Sequence, residues 1–294
     1  MKILMTGATG FLGRAVFAKC LAEGASVAVL GRSPLPVELH NAGVSSYLYH
    51  QRYEDALEAL SDFQPDVVLH LATYFVGQHR PEDLSPLLEA NIMLGLHVLE
   101  AMKQTGCRAW VNASSAWQYS GESPFTPNGV YAATKSALDA FVYAYVQEAH
   151  LHARHLVIYE SYGANDPRKK LIPILWHQFQ AGSRRFKLVG TEKKFYFVHV
   201  QDIAQAFWQV MRELMSLDAD VPPDFLHYAL RENAPPVDVQ DLLHAMSIAW
   251  GEALEGDYGA FAFRDNEVMH PPESIVILPH WQSEITLIEG LKRL

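Results

Sequence analysis

The first thirteen residues join an apolar strand pattern to a glycine-rich turn, and this junction limits the folds open to the chain. Residues 2–6 read KILMT, and the following TGATGFLG sets three glycines at the head of a helical pattern. Glycines let a backbone turn sharply and approach a pyrophosphate, whose charge the free N–H groups of the helix start then meet. Strand, turn and helix together predict an anion-binding loop rather than a ligand-free turn. The predicted loop residues are Gly7, Thr9, Gly10, Phe11, Leu12 and Gly13.

Strand and helix patterns alternate through the first half of the chain. After the helical pattern at residues 11–23, strand patterns occupy residues 26–30, 47–49, 66–72, 109–114 and 155–159. Helical patterns lie between them at residues 54–62, 84–105 and 129–148. Such alternation is typical of βαβ crossovers, which build a parallel sheet with helices on both faces. The chain is therefore predicted to be α/β, with a Rossmann-type doubly wound sheet over residues 1–160 that binds a dinucleotide.

The alternation becomes irregular beyond residue 160. Short strand candidates at 186–198 and 224–230 stand among helical patterns at 170–181, 202–215, 238–250 and 283–293. This mixture predicts a smaller α+β lobe over residues 161–294 that binds the substrate, and it leaves open that some segments return to the sheet. We expect this lobe at the carboxyl edge of the sheet, where open α/β sheets bind their ligands.

Charge and composition exclude several classes of protein. The 294 residues carry a formal net charge of −10, whereas nucleic-acid binding needs clustered Lys and Arg, so no nucleic-acid partner is expected. No apolar run reaches the roughly 18 residues of a membrane helix, and no signal-peptide pattern opens the chain. We therefore expect a cytoplasmic protein without membrane contact. The cysteines, Cys20 and Cys107, are predicted to be buried thiols, and neither they nor the 14 histidines show ligand spacing, so no metal is expected.

The end of the second strand pattern bears on the choice of cofactor. Residues 30–33 read LGRS, where an NAD site usually has an acidic residue for the ribose 2′-hydroxyl. Arg32 and Ser33 suit a 2′-phosphate, so we predict NADPH in preference to NADH. The alternative is that Arg32 is a solvated charge that stacks on the adenine of either cofactor. Leu71 and Ala72, at the end of a later strand pattern, are assigned to the same cofactor site.

A tyrosine and a lysine one helical turn apart suggest acid–base chemistry. Tyr131 and Lys135 in VYAATKSA are i and i+4 and therefore share a helix face. Upstream, Ser114 and Ser115 close a strand pattern, so a hydroxyl, a phenol and an ammonium become available together. Taken alone, the pair does not distinguish an acid–base device from a partly buried aromatic next to an unrelated solvated charge.

These motifs resemble those of extended short-chain dehydrogenase/reductases of the nucleotide-sugar epimerase/dehydratase/reductase superfamily. The matching pieces run in the family's order from residue 3 to about residue 207, among them TGATGFLG, DVVLHLA, NASSAWQYSG, VYAATK and FYFVHVQDIAQAF. The resemblance implies that Tyr131 is the general acid–base, and that Lys135 lowers the pKa of the phenol and binds the nicotinamide ribose. It further implies that Ser115 hydrogen-bonds the substrate oxygen while hydride passes between the nicotinamide and a sugar carbon.

Three reactions are open to this machinery, and the sequence favours one of them. Dehydratases of the family carry carboxylates after the serine, where this chain has Ala116 and Trp117, so dehydration is not expected. Epimerases usually keep NAD tightly bound, which agrees poorly with Arg32 and Ser33. We therefore expect an NADPH-dependent reductase of a nucleotide-linked 4-keto-6-deoxy sugar, with a nucleotide-sugar epimerase as the alternative.

The segment YESYGANDPRKKL, residues 159–171, resembles sugar-nucleotide 4-ketoreductases of the abequose-synthase type. Glu160 stands where this group carries Glu or Asp and is assigned to the substrate site, and Arg168, Lys169 and Lys170 are candidates for contacting the diphosphate. Tyr74 and Phe75 follow the strand pattern at 66–72 and are expected to touch nicotinamide or sugar. The alternative for the basic residues is a solvated charge run at a helix start. The predicted substrate-binding residues are Tyr74, Phe75, Glu160, Arg168 and Lys169.

The assembly and the class of protein are also open to prediction. Helices 84–105 and 129–148 resemble the pair that forms a four-helix dimer interface in this family, so a homodimer is expected. The alternative is that both helices pack only on their own sheet.

Asn91 is expected to brace the central strands rather than to take part in chemistry. A non-catalytic NADP-binding regulator is the alternative of another class, and a non-sugar carbonyl substrate also stays open.

Overall fold

The strands and helices follow the alternation that the sequence predicts. The computed structural model describes residues 1–36, 39, 43–120, 126–218, 220–265 and 267–294. Its strands are β1 (Lys2–Thr6), β2 (Ser26–Gly31), β3 (Ser45–Leu48), β4 (Val67–His70), β5 (Ala109–Ser115), β6 (His152–Ile158), β7 (Glu160–Tyr162), β8 (Arg185–Leu188), β9 (Phe197–His199), β10 (Asp224–Leu230) and β11 (Glu255–Tyr258). Its α-helices are α1 (Phe11–Ala22), α2 (Tyr53–Phe63), α3 (Leu84–Leu88), α4 (Leu94–Thr105), α5 (Gly129–Ala149), α6 (Leu171–Gln180), α7 (Val200–Met215), α8 (Val239–Trp250) and α9 (Leu287–Lys292).

A seven-stranded sheet organises the first half of the chain, in the order β10–β6–β5–β4–β1–β2–β3. Strand β1 pairs in parallel with both β2 and β4, and Thr6 lies opposite His70 at their shared carboxyl end. The chain fills the sheet outward from β1 to β3 on one side and from β4 to β6 on the other. The strand order therefore reverses between β1 and β4, which is where open α/β sheets bind ligands. The predicted Rossmann-type fold class is confirmed.

The central strands are buried on both faces, as their continuous apolar sequences require. All four residues of β4 are buried, and so are residues 3–6 of β1. Trp110 on β5 is fully buried in one apolar cluster with Leu99 and Met102 of α4 and Val142 of α5. Each large apolar side chain that is buried contributes about 1.5–3 kcal/mol, so this cluster holds α4 and α5 against the sheet.

The helix predicted over residues 84–105 is interrupted in the structure. A 3₁₀ turn at Pro81–Asp83 leads into α3, and a wide π turn at Glu89–Met93 separates α3 from α4. The π turn carries Asn91, which is fully buried. Apolar spacing does not reveal such a widened turn, so the prediction of one continuous helix is wrong in this detail. The helix predicted over residues 129–148 is confirmed as α5.

Two compact units divide the chain. The first comprises Met1–Val157 with Ala204–Tyr228, and the second comprises Ile158–Ile203 with Ala229–Leu294. The segment Ala204–Tyr228 therefore belongs with the first unit although it follows residue 160 in the sequence. That residues 1–160 bind the dinucleotide and residues 161–294 bind the substrate stays a prediction.

The second unit contains two small parallel sheets. Strand β7 pairs with β9, and β8 pairs with β11, beside a core that includes Phe186, Leu243 and Leu291. Strands β7 and β11 escape the sequence patterns because strands of three and four residues leave little periodic signal.

In the described part of the chain, no helix is long and apolar enough to cross a membrane. The two cysteines are buried, as predicted.

The last helix is shorter than the 283–293 span that the sequence pattern predicts, because the residues before it turn around a buried aspartate. The carboxylate of Asp202 accepts hydrogen bonds from the Ser283 hydroxyl at 2.9 Å and from the Ile285 N–H at 3.2 Å. These bonds hold residues 283–285 in an irregular turn. Helix α9 then begins after Thr286, whose hydroxyl caps it by accepting from the Glu289 N–H.

We expect Gly13→Ala to destabilise the fold by about 2 kcal/mol, because a Cβ at this position would lie 2.0 Å from the Gly7 carbonyl oxygen. Gly10→Ala is the matched control in the same loop, since its Cβ would lie 3.4 Å from that oxygen. We expect the control to stay within about 0.5 kcal/mol of the wild type. Urea unfolding without added ligand measures both changes, and equal stabilities of the two variants would contradict this packing.

Candidate functional site

The glycine loop between β1 and α1 lies against the exit of β4. Gly7 has a φ of +74°, and a Cβ on it would come within 2.5 Å of the Ala72 nitrogen and the Leu71 carbonyl carbon. The Gly10 N–H donates to the Gly7 carbonyl at 3.1 Å, which closes the turn. Gly10 is also the N-cap of α1 and supplies no side-chain cap, so the helix start can offer N–H groups to an anion. The loop therefore fits a pyrophosphate group.

The other predicted cofactor residues lie at the same carboxyl edge of the sheet. Arg32 and Ser33 follow the end of β2, whose Leu30 pairs with Thr6 of β1, and both side chains are exposed. Within the loop, Thr9 is exposed, whereas the two residues after Gly10 are partly buried in the first turn of α1. These positions suit the adenosine end of a dinucleotide, and the individual contacts stay predictions.

A threonine and a histidine lock the ends of β1 and β4 together. The Thr6 hydroxyl accepts from the Ala72 N–H at 3.2 Å and lies 3.0 Å from His70 Nδ1, with which it shares a hydrogen bond. The His70 ring stacks on Trp110, with ring centroids 5.0 Å apart. Burial, with the charge of Lys135 as a smaller cause, lowers the pKa of His70 to about 3, so its ring is neutral. His70 thus has a structural place beneath the site.

Ser115 stands where β5 turns into a 3₁₀ turn over Ala116–Gln118. Its hydroxyl oxygen accepts from the Trp117 N–H at 3.3 Å, and its own N–H donates to Gln118 Oε1 at 2.8 Å. The Ser114 hydroxyl also donates to Gln118 Oε1, at 2.7 Å, and is buried. Of the two serines, Ser114 is therefore engaged in the turn, while Ser115 is only partly buried.

Three aromatic rings bring the ends of β4 and β5 to the start of α5. Tyr131, in the first turn of α5, meets Phe75 edge-on with ring centroids 5.0 Å apart. Trp117 lies 6.3 Å from Tyr131 and 5.6 Å from Phe75, again edge-on. Because Trp117 is two residues beyond Ser115, the predicted phenol and the predicted serine belong to one neighbourhood. Phe75, predicted from the sequence to contact substrate, lines the same place.

Lys135 follows Tyr131 by one helical turn and is buried, with 3% of its surface exposed. Burial lowers the pKa of its ammonium to about 8, against the opposing effect of the Asp139 carboxylate. A lysine with this pKa is still largely protonated near neutral pH. It can therefore hold a charge beside Tyr131 and donate hydrogen bonds to a ligand hydroxyl.

Asn91 ties the exit of β4 to α5. Its Oδ1 accepts from the Thr73 hydroxyl at 3.0 Å and from the Tyr74 N–H at 2.7 Å, and its Nδ2 donates to the Tyr74 carbonyl at 3.1 Å and to Thr134 Oγ1 at 2.9 Å. Asn91 is thus a bracing residue as expected, but its bonds join the segment after β4 to α5 rather than bracing the central strands. The Tyr74 hydroxyl donates to Asp83 at 2.7 Å, a bond that raises the pKa of the phenol.

The predicted substrate residues of the second unit form ion pairs of their own. Lys170 donates to the Glu160 carboxylate at 3.0 Å. Burial acts to raise the pKa of Glu160, but Lys170, with Lys193 and Arg168 as smaller causes, outweighs it and the pKa is lowered. The Arg168 guanidinium donates two hydrogen bonds of 2.7 Å to the Asp166 carboxylate. Lys169 is exposed. Contact of these residues with a substrate stays a prediction.

A polar cluster under α5 is missing from the sequence-based site. Asp139, His155 and His227 bring one carboxylate oxygen and two ring nitrogens within 4.8 Å of one another. The Trp110 indole N–H donates to His155 Nε2 at 3.2 Å. Since indole nitrogen only donates, His155 Nε2 is the acceptor and the ring proton lies on Nδ1, the nitrogen that faces Asp139. A protonated Nδ1 has no lone pair for a cation, so this arrangement of His155 does not fit a metal.

The parts of this cluster lie far apart in the sequence, which is why spacing did not reveal them. The one local signal is that Asp139 follows Lys135 by four residues on the same helix. Gln118 joins the cluster to the site, since its Nε2 donates to Asp139 at 2.7 Å while its Oε1 accepts from Ser115.

The chain is similar in sequence to known proteins and matches one family model. The model of the family described as "NAD dependent epimerase/dehydratase family" matches residues 3–221. The chain is 25% identical over 216 residues to the CDP-abequose synthase of Yersinia pseudotuberculosis, in an alignment that covers 72% of this chain and 73% of that protein. It is 28% identical over 227 residues to the UDP-glucose 4-epimerase of Mycolicibacterium smegmatis, covering 70% of this chain and 72% of the relative.

Solved structures share the fold over the full length. The UDP-glucose 4-epimerase of Thermus thermophilus, determined in complex with NAD, aligns with a TM-score of 0.78 at 24% sequence identity. The alignment covers 100% of this chain and 97% of that one. At this level of identity the likeness concerns the fold.

Proposed function

The chain belongs to the NAD dependent epimerase/dehydratase family, and from this premise we propose that it reduces a nucleotide-linked 4-keto-6-deoxy sugar with NADPH. The family resemblance drawn from the sequence motifs is confirmed. The chain is accordingly an enzyme of the NAD(P)-dependent oxidoreductase type. The reductase activity, the sugar and the preference for NADPH are the proposed parts.

The surroundings of Tyr131 carry the proposal. Its ring lies among Phe75 and Trp117, and Ser115 is followed by Ala116 and Trp117 rather than by carboxylates. A 4,6-dehydration needs an acid and a base besides the tyrosine, whereas reduction of a ketone needs one proton donor. An apolar wall beside the phenol also suits a sugar that carries a methyl group in place of a hydroxymethyl group.

The proposed mechanism assigns one task to each of three side chains. A bound nicotinamide dinucleotide supplies a hydride. The Tyr131 phenol donates its proton to the ketone oxygen of the sugar, and the Ser115 hydroxyl donates a hydrogen bond to the same oxygen. The buried Lys135 ammonium stabilises the phenolate that remains and binds the ribose of the cofactor. A proton returned from solvent to Tyr131 completes the cycle.

The cofactor preference is proposed from the residues after β2. The exposed guanidinium of Arg32 can meet a 2′-phosphate with two parallel hydrogen bonds, and the Ser33 hydroxyl can add a third. A carboxylate at this point would instead accept from a 2′-hydroxyl and repel a phosphate. We propose further that the glycine loop, Leu71 and Ala72 bind the rest of the dinucleotide. The full proposed set is Gly7, Thr9, Gly10, Phe11, Leu12, Gly13, Arg32, Ser33, Leu71, Ala72, Tyr131 and Lys135.

The named relatives support two neighbouring activities. The similarity to CDP-abequose synthase supports a sugar-nucleotide ketoreductase, and the similarity to UDP-glucose 4-epimerase supports an epimerase. The two activities differ in whether the hydride stays on the substrate after one turnover. In either case we propose that Tyr74, Phe75, Glu160, Arg168 and Lys169 contact the nucleotide sugar.

A homodimer is proposed from apolar side chains that α3, the π turn and α5 leave exposed. Leu84 and Leu88 follow one another by a helical turn, and Met93, Phe141 and Tyr143 are likewise exposed. Leu88 and Tyr143 keep more than half of their surface accessible, at 51% and 56%. A second copy of the chain, packed with the same helices as a four-helix bundle, would cover these side chains.

Tyr131→Phe should lower kcat for ketone reduction by at least about a hundredfold, because the variant has no phenolic proton to give. Binding of NADPH should stay within about threefold of the wild type, since the ring itself remains. Tyr143→Phe, which alters an exposed tyrosine on the same helix, is the control and should keep full activity. The assay follows loss of NADPH absorbance with a dTDP- or CDP-linked 4-keto-6-deoxyhexose.

The same assay separates the alternative functions. A reductase consumes one NADPH for each ketone reduced. Isomerisation of a nucleotide sugar without net loss of NADPH would contradict the reductase and support the epimerase. A biological activity that survives Tyr131→Phe unchanged would support the non-catalytic regulator.

Arg32→Ala should lower the ratio of kcat/KM for NADPH to that for NADH by about tenfold or more, because a charge-assisted contact with the 2′-phosphate is lost. Arg212→Ala, which removes an exposed arginine from α7, should leave the ratio unchanged. Steady-state rates with each cofactor give the ratio. A ratio that does not respond to Arg32→Ala would favour the alternative in which Arg32 stacks on adenine.

Leu88→Asp should convert the proposed dimer into a monomer, because a carboxylate would be buried in an apolar interface. Light scattering after size-exclusion chromatography should give twice the 33.0 kDa chain mass for the wild type and the single mass for the variant. Ile248→Asp, a like change at an exposed position on α8, should leave the dimer intact. A wild-type mass of one chain would refute the homodimer.

A further inference from the structure

A buried carboxylate lies behind the side chains proposed to act in catalysis, and nitrogen atoms converge on it. Asp139 of α5 has Oδ2 2.7 Å from Gln118 Nε2, which donates to it. His155 Nδ1 lies 2.7 Å from Asp139 Oδ1, and His227 Nε2 lies 3.7 Å from Oδ2. The first contact is a hydrogen bond, and the two histidine contacts are close without meeting hydrogen-bond geometry. Asp139 and His155 are both buried.

The proton positions in this cluster follow from groups that can only donate. The Trp110 indole places the proton of His155 on Nδ1, toward Asp139. The Ser115 N–H fixes the Gln118 amide, because only its oxygen can accept that bond, and so the amide nitrogen faces Asp139. Both partners therefore turn N–H groups toward the Asp139 carboxylate.

The second histidine remains neutral. Burial, with the nearby His155 as the next cause, lowers the pKa of His227 to about 4. The Tyr119 hydroxyl lies 2.9 Å from His227 Nδ1 and can donate to it, which leaves the proton of the ring on Nε2, toward Asp139. The two imidazole rings stack with centroids 5.1 Å apart.

A buried lysine lies one helical turn from Asp139. Lys135 and Asp139 are i and i+4 on α5, and both are buried. Two histidines of the sheet, His70 on β4 and His155 on β6, lie near Lys135 and Asp139. His70 is neutral. Within the described part of the chain, Asp139 is the charged group that acts on Lys135.

We propose that Asp139 is a positioning residue of the active site, whose charge compensates the buried Lys135 ammonium and whose contact with Gln118 holds the backbone of Ser115. The proposal rests on the roles of Ser115, Tyr131 and Lys135 proposed above. It joins two catalytic side chains from different elements through one buried anion. Loss of that anion would leave Lys135 as an uncompensated charge in a medium of low dielectric constant.

The first test follows the charge on Lys135 directly and needs no substrate. In protein labelled with ¹³C at the lysine Cε, the Lys135 signal, assigned with Lys135→Arg, should titrate with a midpoint near pH 8 in the wild type. In Asp139→Asn the midpoint should fall by about one pH unit or more. Glu148→Gln, which removes an exposed carboxylate from the same helix, should leave the midpoint in place.

An unchanged Lys135 midpoint in Asp139→Asn would overturn the pairing. Asp139→Ser removes the same charge without placing an amide N–H against the converging donors, and it replaces Asp139→Asn if that variant does not unfold cooperatively. Asp139→Glu restores the charge and should return the midpoint toward the wild-type value.

The second test concerns Ser115 and uses turnover. Gln118→Met removes the hydrogen bonds to Ser115 and Asp139 but keeps the charge of Asp139. Its kcat should fall about tenfold, with the alkaline limb of the pH profile unmoved, whereas in Asp139→Asn that limb should move to lower pH. An unchanged kcat in Gln118→Met would refute the link to Ser115. A protein without reductase activity would refute the proposed function, while the lysine titration would still decide the pairing.

Discussion

The close approach of the Gly7 backbone to the exit of β4 is the constraint on which the rest of the site depends. No side chain separates Gly7 from Leu71 and Ala72, and so the carboxyl ends of β1 and β4 meet at the point where the strand order reverses. Thr6 then joins the two strands by bonding both His70 and the Ala72 N–H. The anion-binding loop and the floor of the catalytic neighbourhood are consequently fixed by the same few backbone atoms.

A layer of buried polar groups under α5 is the second feature that supports the site. Isolated buried charges are costly, and the low dielectric constant that makes them costly also strengthens their mutual attraction. Lys135 and Asp139 occupy this layer together, with His70, His155 and Trp110 around them. Such a layer is rigid only while its donors and acceptors match, and matched, rigid groups are what orient a proton donor without further reorganisation.

The sequence revealed those features whose parts are neighbours in the chain. The glycine loop, the strand–helix alternation, and the spacing of Tyr131 and Lys135 are local patterns, and each is in the structure as expected. Asp139, by contrast, meets Gln118, His155 and His227, which are 21, 16 and 88 residues away along the chain. Only the folded sheet brings such residues together, so no spacing could predict the cluster. Its sole local trace is the four-residue step from Lys135.

The helical segment from α3 to α4 is interrupted because of tertiary contacts, and local helix propensity does not account for the π turn. The residues from Glu89 to Met93 are apolar or helix-favouring in large part, and their pattern predicts a regular helix. The structure widens the turn where the Asn91 amide meets both backbone groups of Tyr74. Short strands such as β7 and β11 escaped prediction for a related reason, since their partners are distant and their own patterns brief.

The π turn also restricts how this part of the protein can change over evolutionary time. Each residue of a helix advances the azimuth by about 100°, so deleting one residue at Glu89–Met93 would relax the turn and rotate Asn91 away from Tyr74. Inserting one residue in the same turn would rotate the preceding helix α3 and displace its buried Leu87. The contacts of a single amide with Tyr74 therefore set the number of residues that this segment can contain.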